Sequence, residues 1–129
     1  MALTERERQG VLQLAEAINR RNARERPALE QALARRVAEA HREVSRLVER
    51  FREADPELRR VVLFGSLARN EVTRIDFDID LAVDSDRYSL LLDIALESVF
   101  KVDLIDLVAA SSYIERSIRR EGKERYRAT

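Results

Sequence analysis

Asp78 and Asp80 stand two residues apart in a stretch, Phe77 to Val83, that alternates strictly: Phe77, Ile79, Leu81 and Val83 against Asp78, Asp80 and Ala82. If that stretch is a strand, both carboxylates leave it on one face, about 6–7 Å apart along the backbone. Two like charges held side by side are costly unless a cation or deep solvation compensates them. Asp103 lies in a second alternating stretch, Lys101 to Val108, which could lie beside the first. Three carboxylates converging on one face suit a hard divalent cation, and magnesium favours carboxylates, water and substrate phosphates. Gly65-Ser66 follows a short apolar run, Arg60-Val61-Val62-Leu63-Phe64. Glycine at a strand end lets the backbone approach a ligand or take a conformation barred to other residues. Ser66 and the amides after it could hold phosphate oxygens. Metal-held phosphates, a hydroxyl-and-amide cradle and a spare carboxylate to deprotonate a hydroxyl together describe phosphoryl or nucleotidyl transfer. Each component alone is a weak signal, since a bare Asp-x-Asp and a strand ending in Gly-Ser are both common.

These groups need elements to hold them. Thr4 and Glu7 have the spacing of a capping box, and Val11, Leu14, Ala15 and Ile18 recur with helical period. The polar stretch Asn19 to Arg26 reads as a break, with Pro27 in the first turn of a new helix. From there Leu29, Leu33, Val37, Ala40, Val44, Leu47, Val48 and Phe51 form one stripe. A helix from Pro27 to Arg52 would be about 39 Å long. Either it simply covers the sheet, or its first half overhangs the core and packs on a second subunit or a partner. Asp55-Pro56 ends it. The first strand then leads into a short helix from Ser66 to Asn70, the Phe77–Val83 strand follows, and Asp86 or Ser89 caps a helix carrying Leu90, Leu91, Ile94 and Val99. After the Lys101–Val108 strand, Ser111 or Ser112 opens a last helix that Gly122 ends. A fourth strand is expected, if anywhere, near Val108–Ala110, and Glu124–Thr129 reads as a frayed or partner-bound tail. The fold class is α/β, a small sheet covered by helices.

Composition closes off other chemistry. The 129 residues suit one domain. There is no cysteine, which excludes disulfides, zinc-thiolate sites and thiol nucleophiles, and a single histidine, His41, leaves no basis for histidine triads. No apolar run is long enough to span a membrane, and the charged N-terminus does not read as a signal peptide, so a cytoplasmic location is expected. Net charge is zero, which argues against direct nucleic-acid binding, yet residues 71–106 carry ten acidic and three basic groups.

The run Leu63-Phe64-Gly65-Ser66-Leu67-Ala68-Arg69, followed by Asp78-Ile79-Asp80-Leu81 and Val102-Asp103-Leu104, resembles the signature of the polymerase-beta-like nucleotidyltransferase superfamily, in particular its minimal prokaryotic members. The resemblance covers Arg60 to Tyr126. It implies a nucleotidyltransferase fold, a small mixed sheet with flanking helices, preceded here by long N-terminal helices. Carried over, Asp78 and Asp80 would ligate two magnesium ions that bridge the nucleotide phosphates. Asp103 would ligate the ion that activates the acceptor hydroxyl, or act as its base. Gly65 and Ser66 would hold the β- and γ-phosphates of ATP or another nucleoside triphosphate. Arg69 would support the loop or meet phosphate, or form no more than a salt bridge. Asn70 replaces the glycine usual after Ala-Arg, which asparagine's tolerance of positive φ allows. Asp76 and Asp106 are expected at the surface or behind the site.

Minimal members of this superfamily are paired with a small all-helical HEPN protein, often as antitoxin and toxin, and some transfer AMP from ATP to a tyrosine hydroxyl of the toxin. The resemblance therefore implies a magnesium-dependent protein nucleotidyltransferase acting as an antitoxin. Inhibition of the partner by contact alone, and transfer to RNA or a small molecule, are the competing readings. The expected division is an N-terminal helical extension, 1–55, packing on the core, on a partner or on a second copy, and a nucleotidyltransferase domain, 56–129.

Overall fold

The computed structural model describes residues 2–129. The chain divides into two compact units, with the boundary after Ala34. In the first, Thr4 and Glu7 form the expected capping box, the Thr4 amide donating to Glu7 Oε2 (3.1 Å) and the Glu7 amide to Thr4 Oγ1 (3.2 Å). They open α1 (Glu5–Ala54), a single helix. The expected break at Asn19–Arg26 is absent. Ala, Arg, Glu, Gln and Leu carry the helix through Pro27, and an Arg21–Glu25 pair (2.9 Å) spans one turn just before it. Proline removes one amide donor from the ladder but does not stop a helix whose neighbours favour it this strongly. The described side chains of this unit up to Gln31 are exposed, Val11, Leu12, Leu14 and Ile18 among them.

In the second unit, β1 (Arg60–Phe64) leads into α2 (Gly65–Arg69), then β2 (Ile79–Asp84), α3 (Tyr88–Leu96), β3 (Val102–Asp106), α4 (Ser112–Glu121) and β4 (Lys123–Arg127). The strands form one mixed sheet in the order β3-β2-β1-β4. β1 pairs antiparallel with β2 and with β4, whereas β2 and β3, joined through α3, are parallel. The period-two alternation of β1, β2 and β3 gives the sheet two different faces. Val61, Leu63, Ile79, Leu81, Val83, Val102 and Leu104 bury against Ala40, Val44, Leu47 and Phe51 of α1 and Leu91, Ile94 and Ala95 of α3. On the opposite face Val62 and Ala82 pack under Ile118 of α4, with Phe64, Ile105, Leu107 and Ile114 around them. α4 starts as expected, with Ser111 Oγ accepting from the Ile114 amide (3.3 Å).

Two expectations fail at the C-terminal end. Val108–Ala110 is not a strand; residues 107–109 form a turn. The fourth strand is Lys123–Arg127, within the stretch read as a tail. Its sequence, Lys-Glu-Arg-Tyr-Arg, shows no apolar alternation because it lies at the sheet edge with only Arg125 and Tyr126 half-buried. α3 is also uncapped by either expected residue. Its N-cap is Arg87, whose amide donates instead to Ser85 Oγ (2.9 Å).

Phe51 is fully buried among both helices and sheet. Phe51→Ala should lower unfolding free energy by about 3–5 kcal/mol, read from urea denaturation of the full chain.

Candidate active site

Gly65 marks the point where β1 stops. Its φ of +76° is open to glycine and strained for other residues, and it turns the chain from strand into α2. A β-carbon built there would lie 2.0 Å from Asp80 Oδ2 and 2.9 Å from Asp80 Cγ. The missing side chain is therefore the space that Asp80 occupies. The sheet register explains the contact: antiparallel pairing sets Phe64 opposite Asp80, so the next residue along β1 passes the Asp80 carboxylate. Parallel pairing of β2 with β3 sets Asp80 opposite Asp103. Gly65, Asp80 and Asp103, from three separate stretches of sequence, thus meet at one end of the α4-covered face.

The carboxylates sit in unequal surroundings. Asp80 is half-buried, and burial, helped by the charges of Asp103 and Asp78, pushes its carboxyl up to about 6, with Arg69 pulling the other way. Asp103 is exposed. Asp78 lies just before β2, about a third exposed, with its Oδ2 3.4 Å from Lys101 Nζ. Among the described residues no three acidic, histidine or cysteine side chains stand together as a ready-made metal site. The donors are nonetheless of the right chemistry for a hard divalent cation: carboxylates on adjacent strands, one of them raised in pKa by burial and then by its neighbours' charge, the second of which a cation would relieve.

Arg69, expected at phosphate, in the loop or in a salt bridge, donates Nε to Glu71 (2.8 Å) and Nη1 to Glu121 of α4 (2.8 Å). It ties α2 to α4 beside the carboxylates. Asn70 caps α2 in the left-handed region, φ 57°, as its place in the motif requires. Ser66 follows Gly65 in the first turn of α2, half-buried. Asp76 pairs with Arg74 at the surface (3.2 Å). Asp106, opposite Val83 on the face away from Asp103, accepts from the Val108 amide (3.0 Å). Lys101 and Glu121 are the groups that the sequence reading passed over. Lys101 had one available signal, its position beside Val102-Asp103, whereas Glu121 had none, being 52 residues from Arg69.

A model of the family described as polymerase beta, nucleotidyltransferase, matches residues 46–128. The chain belongs to that family. It is a nucleotidyltransferase, and the matched stretch includes the whole sheet and all the carboxylates above. Among solved structures, one of a toxin–antitoxin with AMP-PNP is similar at 26% identity and a TM-score of 0.53, covering 65% of this chain and 73% of that one. Another is a variant of the toxin–antitoxin MntA–HpeT in which two aspartates two positions apart are replaced by glutamate; it is similar at 25% identity and a TM-score of 0.55, covering 66% and 73%. No curated protein matches by sequence. Among the described residues, no helix of the nucleotidyltransferase is long and apolar enough to cross a membrane.

The raised Asp80 has a thermodynamic signature. Its folded value of about 6 lies above the ordinary 3.8, so the folded chain holds a proton that the unfolded chain releases. Ionised Asp80 therefore weakens the fold above pH 6, and the penalty fades as pH falls through 6 towards 4. After allowing for its half-exposed setting, Asp80→Asn should stabilise the metal-free protein by ~1–2 kcal/mol at pH 7.5. More than half of that gain should be gone at pH 4.5; a gain equal at both pH values would assign it to packing instead of charge.

Proposed function

We propose that this nucleotidyltransferase transfers AMP from ATP to a hydroxyl of a partner protein, a helical HEPN-type toxin, and acts as its antitoxin. The observation that carries the reading is the convergence of Gly65, Asp80 and Asp103 at one end of the sheet, with Asp78 beside them. The likeness to solved toxin–antitoxin structures, one with AMP-PNP, supports the partner class and the adenine nucleotide.

In this reading Asp78, Asp80 and Asp103 would hold magnesium, two ions by the family pattern, and magnesium when bound neutralises phosphate charge and favours departure of pyrophosphate. Gly65, whose missing side chain makes room for Asp80, would present its amide to the triphosphate, and Ser66 would offer a hydroxyl and an amide to the β- and γ-phosphate oxygens. Arg69, paired with Glu71 and Glu121, holds α2 in place and keeps its positive charge beside the phosphates. Asp103 is the exposed member of the three and is therefore the one that an incoming hydroxyl can reach. It takes the hydroxyl proton as the oxygen attacks the α-phosphorus in line with the departing pyrophosphate. The family match starts at residue 46, and we assign the extension before the domain, within 1–55, to partner binding: Val11, Leu14 and Ile18 are exposed there.

Intact mass spectrometry of the helical partner, after incubation with the full chain, ATP and magnesium, tests this. The partner should gain one or more adenylyl groups, and none with Asp78→Asn/Asp80→Asn. No gain on a partner that starts unmodified and still binds would replace transfer with inhibition by contact; a gain on added RNA or a small hydroxyl compound instead would move the acceptor class.

A further inference from the structure

Arginine supplies almost all of the positive charge in this chain: 22 arginines against two lysines, Lys101 and Lys123. One of the two sits at the candidate active site. Lys101 Nζ lies 3.4 Å from Asp78 Oδ2, and among the described residues no other cationic side chain is within ion-pair range of Asp78. The backbones that carry the pair are fixed. The Ile79 amide donates to the Lys101 carbonyl (2.9 Å), which joins the start of β2 to the start of β3. The residues immediately before each partner, Phe77 and Phe100, pack ring to ring at 6.1 Å, and Phe100 is buried with the Arg36 guanidinium 3.8 Å above its ring. The roots of the ion pair are thus anchored by an aromatic contact, while the Lys101 side chain itself is 75% exposed and held only by charge.

We infer that Lys101 is the resident counter-cation of Asp78, and that a divalent ion gains this carboxylate only by displacing it. The inference rests on the active-site reading of Asp78, Asp80 and Asp103. The pairing places an ammonium on Asp78, which an incoming metal ion must outcompete. That competition accounts for lysine in an arginine-rich chain. A guanidinium can grip a carboxylate with two parallel hydrogen bonds, whereas an ammonium on a flexible stem is a point charge that gives way to a stronger one. Lys101 therefore lowers the site's hold on a bare metal ion. Once displaced, its charge remains at the rim, where the polyphosphate of a metal–nucleotide complex arrives.

Calorimetric titration of Mn2+ into the full chain without nucleotide tests the inference. Lys101→Met should bind Mn2+ roughly threefold tighter or more, the scale of removing one exposed competing charge. Lys101→Arg should bind it no tighter than the original chain. In an Asp78→Asn background, Lys101→Met should have no effect, because the competition has lost its object. Unchanged or weaker binding by Lys101→Met, or the same tightening with Asp78→Asn present, overturns the inference while leaving the metal site in place. If none of these proteins binds Mn2+, or Asp80→Asn binds it undiminished, the active-site reading itself falls and this inference falls with it.

Discussion

Asp80 and Asp103 are held opposite each other by a parallel strand pair, in a half-buried place where two negative charges repel. Much of the second unit can be understood as what makes that tolerable. The other face of the same strands buries Ile79, Leu81, Val83, Val102 and Leu104 in one continuous apolar layer, and this burial outweighs the repulsion. Gly65 gives Asp80 room by having no side chain, and Arg69 contributes a nearby positive charge. The repulsion between the carboxylates on one face of the strands is thus offset by the burial on the other.

The supports around the carboxylates are graded in rigidity. Glu43 on α1 is buried, accepts from Arg46 through both oxygens (2.5 and 2.8 Å) and also accepts from Ser98 Oγ, so the segment between α3 and β3 is fastened to α1. Asp55, also buried, accepts from Ser85 Oγ (2.5 Å) and the Glu57 amide (3.0 Å), which fixes the exit from α1 to the exit from β2. The Asp55 anchor lies at the end of β2 away from the carboxylates, whereas the Glu43 anchor holds Ser98, three residues before Lys101. At the carboxylates themselves the contacts are exposed ion pairs, Arg69 with Glu71 and Glu121 and Lys101 with Asp78, which exchange partners at small cost. Buried hydrogen bonds thus fasten α1 to both ends of the β2–β3 pair, and exposed ion pairs surround the carboxylates.

The features written in short-range pattern were legible in the sequence. Alternation in Phe77–Val83 and Lys101–Val108 placed Asp80 and Asp103 on strands, with Asp78 one residue before β2, the Gly65-Ser66 junction lay where β1 ends, and the caps at Thr4 and Ser111 formed as their spacing required. The misses were of a different physical kind. β4 is an edge strand whose charged side chains face water, so its pairing with β1 left no hydrophobic trace. Pro27 reads as a helix start because proline usually is one, yet the favourable residues on both sides carried the helix past it. The Arg69–Glu121 pair joins side chains far apart in sequence, and Lys101–Asp78 depends on the strand register, so neither follows from local spacing.

β4 also settles what kind of edge the sheet presents. Without it, β1 would be the outermost strand, and the bare amides and carbonyls of Val61, Val62 and Leu63 would offer an apolar template for another chain. With it, the outermost strand is Lys123-Glu124-Arg125-Tyr126-Arg127, where Glu124 is held by Arg127 (2.7 Å) and faces Arg60 (3.2 Å). A strand that makes almost no contribution to the core thus acts as a solubilising hem. Its loss would be felt less as a cavity than as a tendency of the molecules to stack edge to edge.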